Sequence, residues 1–148
     1  MQLTSLLTTL LATTALAAPA PELETRDFNL MVAGSTWTIQ NFKRVCTANA
    51  KKCSFTYAID TNDGKPVTKC SYQATGSPAA HASYSNVKCG AFTVGSTWSN
   101  QFGNDKAFTT LSVVKNGQII YPAYTDKQLA GNKVVKPDQS YTPQNLPS

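Results

Sequence analysis

Along the middle of this 148-residue chain apolar and polar side chains alternate. From Ser54 to Asp60, Phe55, Tyr57 and Ile59 fall on one side and Ser54, Thr56 and Asp60 on the other, the period of two that a half-buried β-strand requires. Thr61-Asn62-Asp63-Gly64 then supplies a turn, because Asn and Asp bond locally to their own backbone and Gly accepts a positive φ. A hairpin therefore returns into Val67 to Ala74, where Cys70 and Tyr72 share one face and Lys69, Ser71 and Gln73 the other. The same grammar predicts strands over Trp37 to Phe42, Tyr84 to Val94, Ala107 to Lys115 and Gln118 to Tyr124. Asn116-Gly117, between the last two, is the strongest short-range hairpin signal in the sequence. No segment sustains a helical period, and only Asp126 to Ala130 can make a helical turn. The pattern predicts an all-β fold, a compact antiparallel β-barrel or sandwich.

The two ends of the chain break this pattern. Met1 to Ala17 is apolar and uncharged, and closes on Ala15-Leu16-Ala17, the small-x-small sequence that a signal peptidase admits. It is too short and too interrupted by Thr for a membrane span, which needs about 20 apolar residues. Residues 1–17 are thus expected to be a cleaved signal peptide and the protein to be secreted, with no later segment able to span. The polar stretch 18–26, ending at Arg26, reads as a short pro-segment, and 27–136 as a single β domain. Residues 137–148 are polar and Pro-rich and form a tail that is either strapped down or loose.

Four cysteines, Cys46, Cys53, Cys70 and Cys89, lie in the mature part. An even number in an exported chain reads as two disulfides, since that compartment is oxidising. Of the three connectivities, the expected one joins Cys46 to Cys53 and Cys70 to Cys89. The spacings contain no C-x2-4-C knuckle, which argues against a zinc site, and no metal or cofactor is expected.

Charge and chemistry narrow the function by exclusion. The chain has 13 Lys+Arg against 8 Asp+Glu, and removing Glu22, Glu24 and Arg26 with the pro-segment leaves 12 against 6, or +6. Lys43, Arg44, Lys51 and Lys52 cluster around the first two cysteines and form the best candidate basic face. No aromatic pattern interleaves with them, so nucleic acid is set aside. Beyond the pro-segment there is no Glu and one His, His81, in a loop-like stretch. No nucleophile elbow accompanies it, the cysteines are committed, and of the six mature aspartates Asp60, Asp63 and Asp105 sit where turns select Asp, so neither a catalytic triad nor a carboxylate pair stands out. The chain reads as a non-enzyme. Trp98 and Phe102 lie in Gly95 to Asn104, which reads as a polar loop, where exposed aromatics can dock in a partner's pocket or fold back as a lid. They form the second candidate recognition surface. A monomer is expected, with a non-covalent dimer as the alternative.

The order of Ala-Pro-Ala-Pro-Glu-Leu-Glu-x-Arg, Trp37-x-Ile39-x-x-Phe42, Ser54-Phe55, Thr61-Asn62-x-Gly64, Cys70-Ser71, Tyr84 and Cys89-Gly90 resembles the small secreted fungal hypersensitive-response-inducing proteins. More distantly it resembles the Alternaria major-allergen superfamily. The resemblance runs from about Trp37 to Lys115 and implies a compact antiparallel β-barrel or sandwich. It also implies a non-catalytic elicitor or effector perceived by plant cells, through a cell-surface receptor or an apoplastic protein. The alternative is a carrier holding a small hydrophobic or carbohydrate ligand in the barrel mouth. The sequence departs from the allergen pattern in pairing Cys46 with Cys53 and in leaving no cysteine for a covalent dimer.

Overall fold

The computed structural model describes residues 36–147. The expected signal peptide and pro-segment lie outside these residues. Ten strands form two antiparallel sheets that face each other as a sandwich. The first sheet is built from β1 (Trp37–Cys46), β2 (Lys52–Asp60), β3 (Thr68–Thr75) and β9 (Gln139–Tyr141), in the order β3-β2-β1-β9. The second takes β4 (Tyr84–Cys89), β5 (Phe92–Ser99), β6 (Phe108–Lys115), β7 (Gln118–Ile120) and β10 (Gln144–Asn145), in the order β10-β7-β6-β5-β4. A further short strand, β8 (Ala123–Thr125), pairs with β6. The sheets do not close on each other through hydrogen bonds, so of the two predicted architectures the sandwich is the one formed.

Alternation puts the expected side chains inside. Phe55, Tyr57 and Ile59 of β2 and Cys70 and Tyr72 of β3 are buried against Phe92, Val94, Leu111, Val113 and Ile120 of the opposite sheet. Three aromatic contacts cross between the sheets. Trp37 meets Phe92 edge-on at 5.4 Å, Phe42 stacks on Tyr124 at 4.1 Å, and Tyr72 lies against Tyr84 at 3.9 Å. Such a pair stabilises by about 0.5–1.5 kcal/mol beyond the area it buries. One disulfide joins Cys46 to Cys53 across the β1–β2 hairpin, and the other joins Cys70 of β3 to Cys89 of β4.

Two strand predictions and one loop prediction are corrected. Tyr84 to Val94 is not one strand but two, because Gly90, at φ 56, turns the chain between Cys89 and Phe92. Only glycine fits comfortably there, since a Cβ would lie 2.9 Å from Thr68 Cγ2. Gln118 to Tyr124 breaks at Tyr121-Pro122, where the proline has no N–H for the ladder and its carbonyl accepts from Leu111 N instead. The region from Gly95 to Ser99 is the end of β5 and not loop, so Trp98 is a strand residue paired with Thr109.

Strand β1 also runs past Phe42 to Cys46, through a bulge between Gln40 and Lys43. Asn41 sits there at φ 53, and its N–H donates to Asp138 Oδ1 at 2.9 Å. An extra residue in one strand inverts the alternation beyond it. Before the bulge Trp37 and Ile39 face the core; after it Phe42 and Arg44 do, and Lys43 and Val45 face out. The β structure does not stop at Lys136. Residues 139–145 pass from the edge of one sheet to the edge of the other, as β9 beside β1 and β10 beside β7.

Candidate recognition site

The bulge has a chemical result at one end of the sandwich. It turns the Arg44 guanidinium inward, with 10% of its side chain exposed, and an inward cation requires a partner. That partner is Asp126, whose Oδ1 accepts from Arg44 Nη1 at 2.8 Å. Asp126 opens a single helical turn, α1 (Asp126–Leu129). Thr125 caps this turn reciprocally: its Oγ1 accepts from Gln128 N at 3.2 Å, and Gln128 Oε1 accepts from Thr125 N at 2.8 Å. The Asp126 N–H donates to Ala107 O at 2.9 Å, so the carboxylate is held from both ends of its residue.

The second carboxylate oxygen, Oδ2, accepts from Trp98 Nε1 at 2.8 Å. This fixes the plane of an indole that is only partly buried. His81 lies on that plane, its ring stacked on Trp98 with centroids 3.7 Å apart and 13° between planes. His81 comes from a 3-10 turn, Ala79–His81, anchored by the wholly buried Ala79, whose N–H donates to Ala50 O at 2.7 Å. His81 Nε2 stands 4.0 Å from Asp126 Oδ2, and 41% of its side chain is exposed.

Asp126 thus holds two donors that arrive from β1 and β5, and a histidine is laid over one of them. The arrangement is suited to presenting a rigid aromatic pair. For proton transfer it is less apt: both carboxylate oxygens are occupied, and the imidazole is beyond hydrogen-bond distance of the nearer one. Among the described residues no cluster of His, Cys, Asp or Glu has the arrangement to hold a metal ion.

Arg44 and Trp98, placed on two separate surfaces by their sequence neighbourhoods, meet on this one carboxylate. Lys51 and Lys52 are exposed on the β1–β2 turn, and Lys43 points out of the sheet beside Val134. Phe102 is 65% exposed and stacks on Phe108 at 6.1 Å, outside the Asp126 contacts. Asp126 and His81 were not among the expected recognition residues. The Thr125-x-x-Gln128 capping box was a readable signal for the turn that carries Asp126, but nothing in the sequence pairs it with Arg44, 82 residues away.

The sequence profile of Effector TSP1 matches residues 38–146, a span that contains both sheets and all four residues of the cluster. The chain belongs to the Effector TSP1 family. A protein described as Effector TSP1, from Hypocrea virens (strain Gv29-8 / FGSC 10586), is 43% identical over 152 residues, covering 99% of this chain and 100% of that protein. Family membership makes the chain a fungal effector-family protein, in keeping with the fungal resemblance of its motifs. Among the described residues no helix is long and apolar enough to cross a membrane.

Proposed function

We propose that this member of the Effector TSP1 family is a secreted, non-catalytic effector that triggers plant defence or cell death by surface recognition. Its partner is a plant cell-surface receptor or an apoplastic protein. The observation that carries this reading is the His81–Trp98 stack, partly exposed and fixed in orientation by Asp126. Rigid aromatics lose little freedom on binding and dominate the energetics of protein interfaces, commonly with 2 kcal/mol or more at an anchor. The two disulfides and the apolar leader sequence agree with export. A carrier of a small hydrophobic ligand would need room between the sheets. That space holds Phe42 stacked on Tyr124, and Phe55 stacked on Tyr72.

Infiltration of purified protein into leaves, read as oxidative burst and cell death, tests the proposal. Trp98→Ala is expected to abolish the response at doses where the parent protein is active, with the circular-dichroism spectrum unchanged. His81→Ala is expected to weaken it. Folded variants that both keep the full response would show that recognition lies on another surface.

A further inference from the structure

The outward face of the four-stranded sheet is cationic and floored in part by small hydroxyl side chains. In successive cross-strand rows it presents Val45, Ser54 and Gln73, then Lys43, Thr56 and Ser71, then Gln40, Ala58 and Lys69. Lys52, paired with Thr75, closes the next row at one end. Two shallow depressions of about 380 and 450 Å³ lie on this face and run together, since Thr56 and Ser71 line both. Lys69 borders the first of them. From strand spacing and rise, the Cα atoms of Lys43 and Lys69 are about 12 Å apart, with the trough between them.

No carboxylate offsets these lysines within those rows. The nearest along β2 is Asp60, at the end of the strand, and it already accepts from Gln40 Nε2 at 3.1 Å and from Asn62 N at 2.8 Å. Elsewhere Asp63 and Asp126 are taken by Lys65 and Arg44, while Asp138, which accepts from Asn41 N at the border of the first depression, is neutralised there by Lys136. Residues 36–147 carry 12 basic against 5 acidic side chains, or +7. The sequence cluster around the first two cysteines is therefore rearranged in space. Arg44 leaves it through the bulge, and Lys69 enters it from β3.

We infer that this face binds a linear acidic polysaccharide of the uronic-acid type. A folded protein partner would look for aromatic or Arg anchors in pockets, and this face has none. A polyuronate offers carboxylates at intervals along its length for the lysines, and hydroxyls for Ser54, Thr56 and Ser71. An extended trough between lysines accepts such a chain without any change in the sheet. The site uses none of the Asp126 cluster, so its failure would leave the recognition reading untouched.

Co-sedimentation of the purified protein with polygalacturonate, against the fully methyl-esterified polymer, is the test. Binding is expected for the acid form alone, weakening steeply with salt. The triple variant Lys43→Gln, Lys52→Gln, Lys69→Gln should lose about tenfold in affinity and most of the salt dependence. The control Lys88→Gln, Lys106→Gln, Lys127→Gln carries the same change in net charge and should lose less than about twofold. Equal losses in the two triple variants, or equal binding of the esterified polymer, would overturn the assignment. Tighter binding to phosphatidylserine vesicles or to polyglutamate than to polygalacturonate would overturn it as well, in favour of a lipid or an acidic protein segment.

Discussion

On one side of the sandwich the edge strands β3 and β4 are joined by the Cys70–Cys89 disulfide, with Tyr72 and Tyr84 packed against each other beside it. On the other side both edges, β9 and β10, come from one continuous stretch near the end of the chain. The first seam is covalent and buried; the second is three residues of ladder on one sheet and two on the other, largely exposed to water. A two-sheet fold leaves two such gaps, and unprotected edges invite pairing with other chains. Here each gap is closed, one by chemistry that survives local opening and one by chain that must be reordered each time it lifts. The two seams should fail under different insults.

High pH should have the largest effect, and two of the tyrosines it strikes, Tyr72 and Tyr84, pack at the covalent side. Burial holds Tyr57, Tyr72, Tyr84 and Tyr124 neutral, each with a folded-state pKa well above the ordinary phenol value, and the nearby Tyr84 adds to the rise at Tyr72. A raised folded-state pKa means that the stability each contributes is complete below pH 10 and is lost as pH rises beyond it. The loss is about 1 kcal/mol per such tyrosine for each pH unit above 10. Urea midpoints at pH 8, 10 and 11 should show a steep fall that Tyr72→Phe reduces more than Tyr141→Phe does, since Tyr141 is only partly buried. Equal slopes for the two variants would erase the distinction between the seams.

Next in size is the loss of the disulfide between Cys70 and Cys89. The double variant Cys70→Ala, Cys89→Ala should cost about 3 kcal/mol for a loop of this length. Cys46→Ala with Cys53→Ala should cost less, about 1–2 kcal/mol, because that bond spans a hairpin already held by the β1–β2 ladder. A thermal melt of both variants reads the ranking directly, and the reverse order would mean that the sheets hold together without a covalent seam. The smallest effect belongs to the strap. Asp138→Ala removes the carboxylate that accepts from Asn41 N and pairs with Lys136, at a cost of about 1 kcal/mol or less at this exposed position. Amide exchange should rise at Asn41 and along β9 while the β3–β4 side stays protected. A uniform rise across both sheets would mean that the strap is part of one cooperative unit.

The strands that were legible in the sequence are those in which side-chain chemistry and backbone agree. Phe55, Tyr57 and Ile59 alternate inward with no irregularity, and Asn116 and Gly117 both take the positive φ that a two-residue hairpin requires. Illegibility sets in wherever the backbone alone does the work. Gly90 turns between Val87 and the Phe92-Thr93-Val94 run, both of β type, so the pattern ran straight through it. Asn41 shifts the register by one residue and sends Arg44 inside, although counting in twos from Trp37 and Ile39 would put it in water. The recognition cluster inherits this difficulty. His81, Trp98 and Asp126 come together with Arg44 only through the fold, and Asp126, which holds Arg44 and Trp98, stood in the sequence only as the start of a lone helical turn.

The strap also sets the order of events during synthesis. Thr38, near the start of the described chain, bonds through its hydroxyl to Ser140, 102 residues later, and on that side β1 is met only by β9 and by the bridge from Val134 to Lys43, both from the last part of the chain. The hairpins β1–β2, β2–β3 and β5–β6 can pair as soon as they emerge, because their contacts are local. The far edge of β1 must stay bare until almost the whole polypeptide has left the ribosome, and pairings so distant in sequence are the slow ones in folding. A nascent chain arrested a dozen residues early would therefore carry a finished hairpin stack with one adhesive edge, and copies of it would be apt to stick to one another along β1.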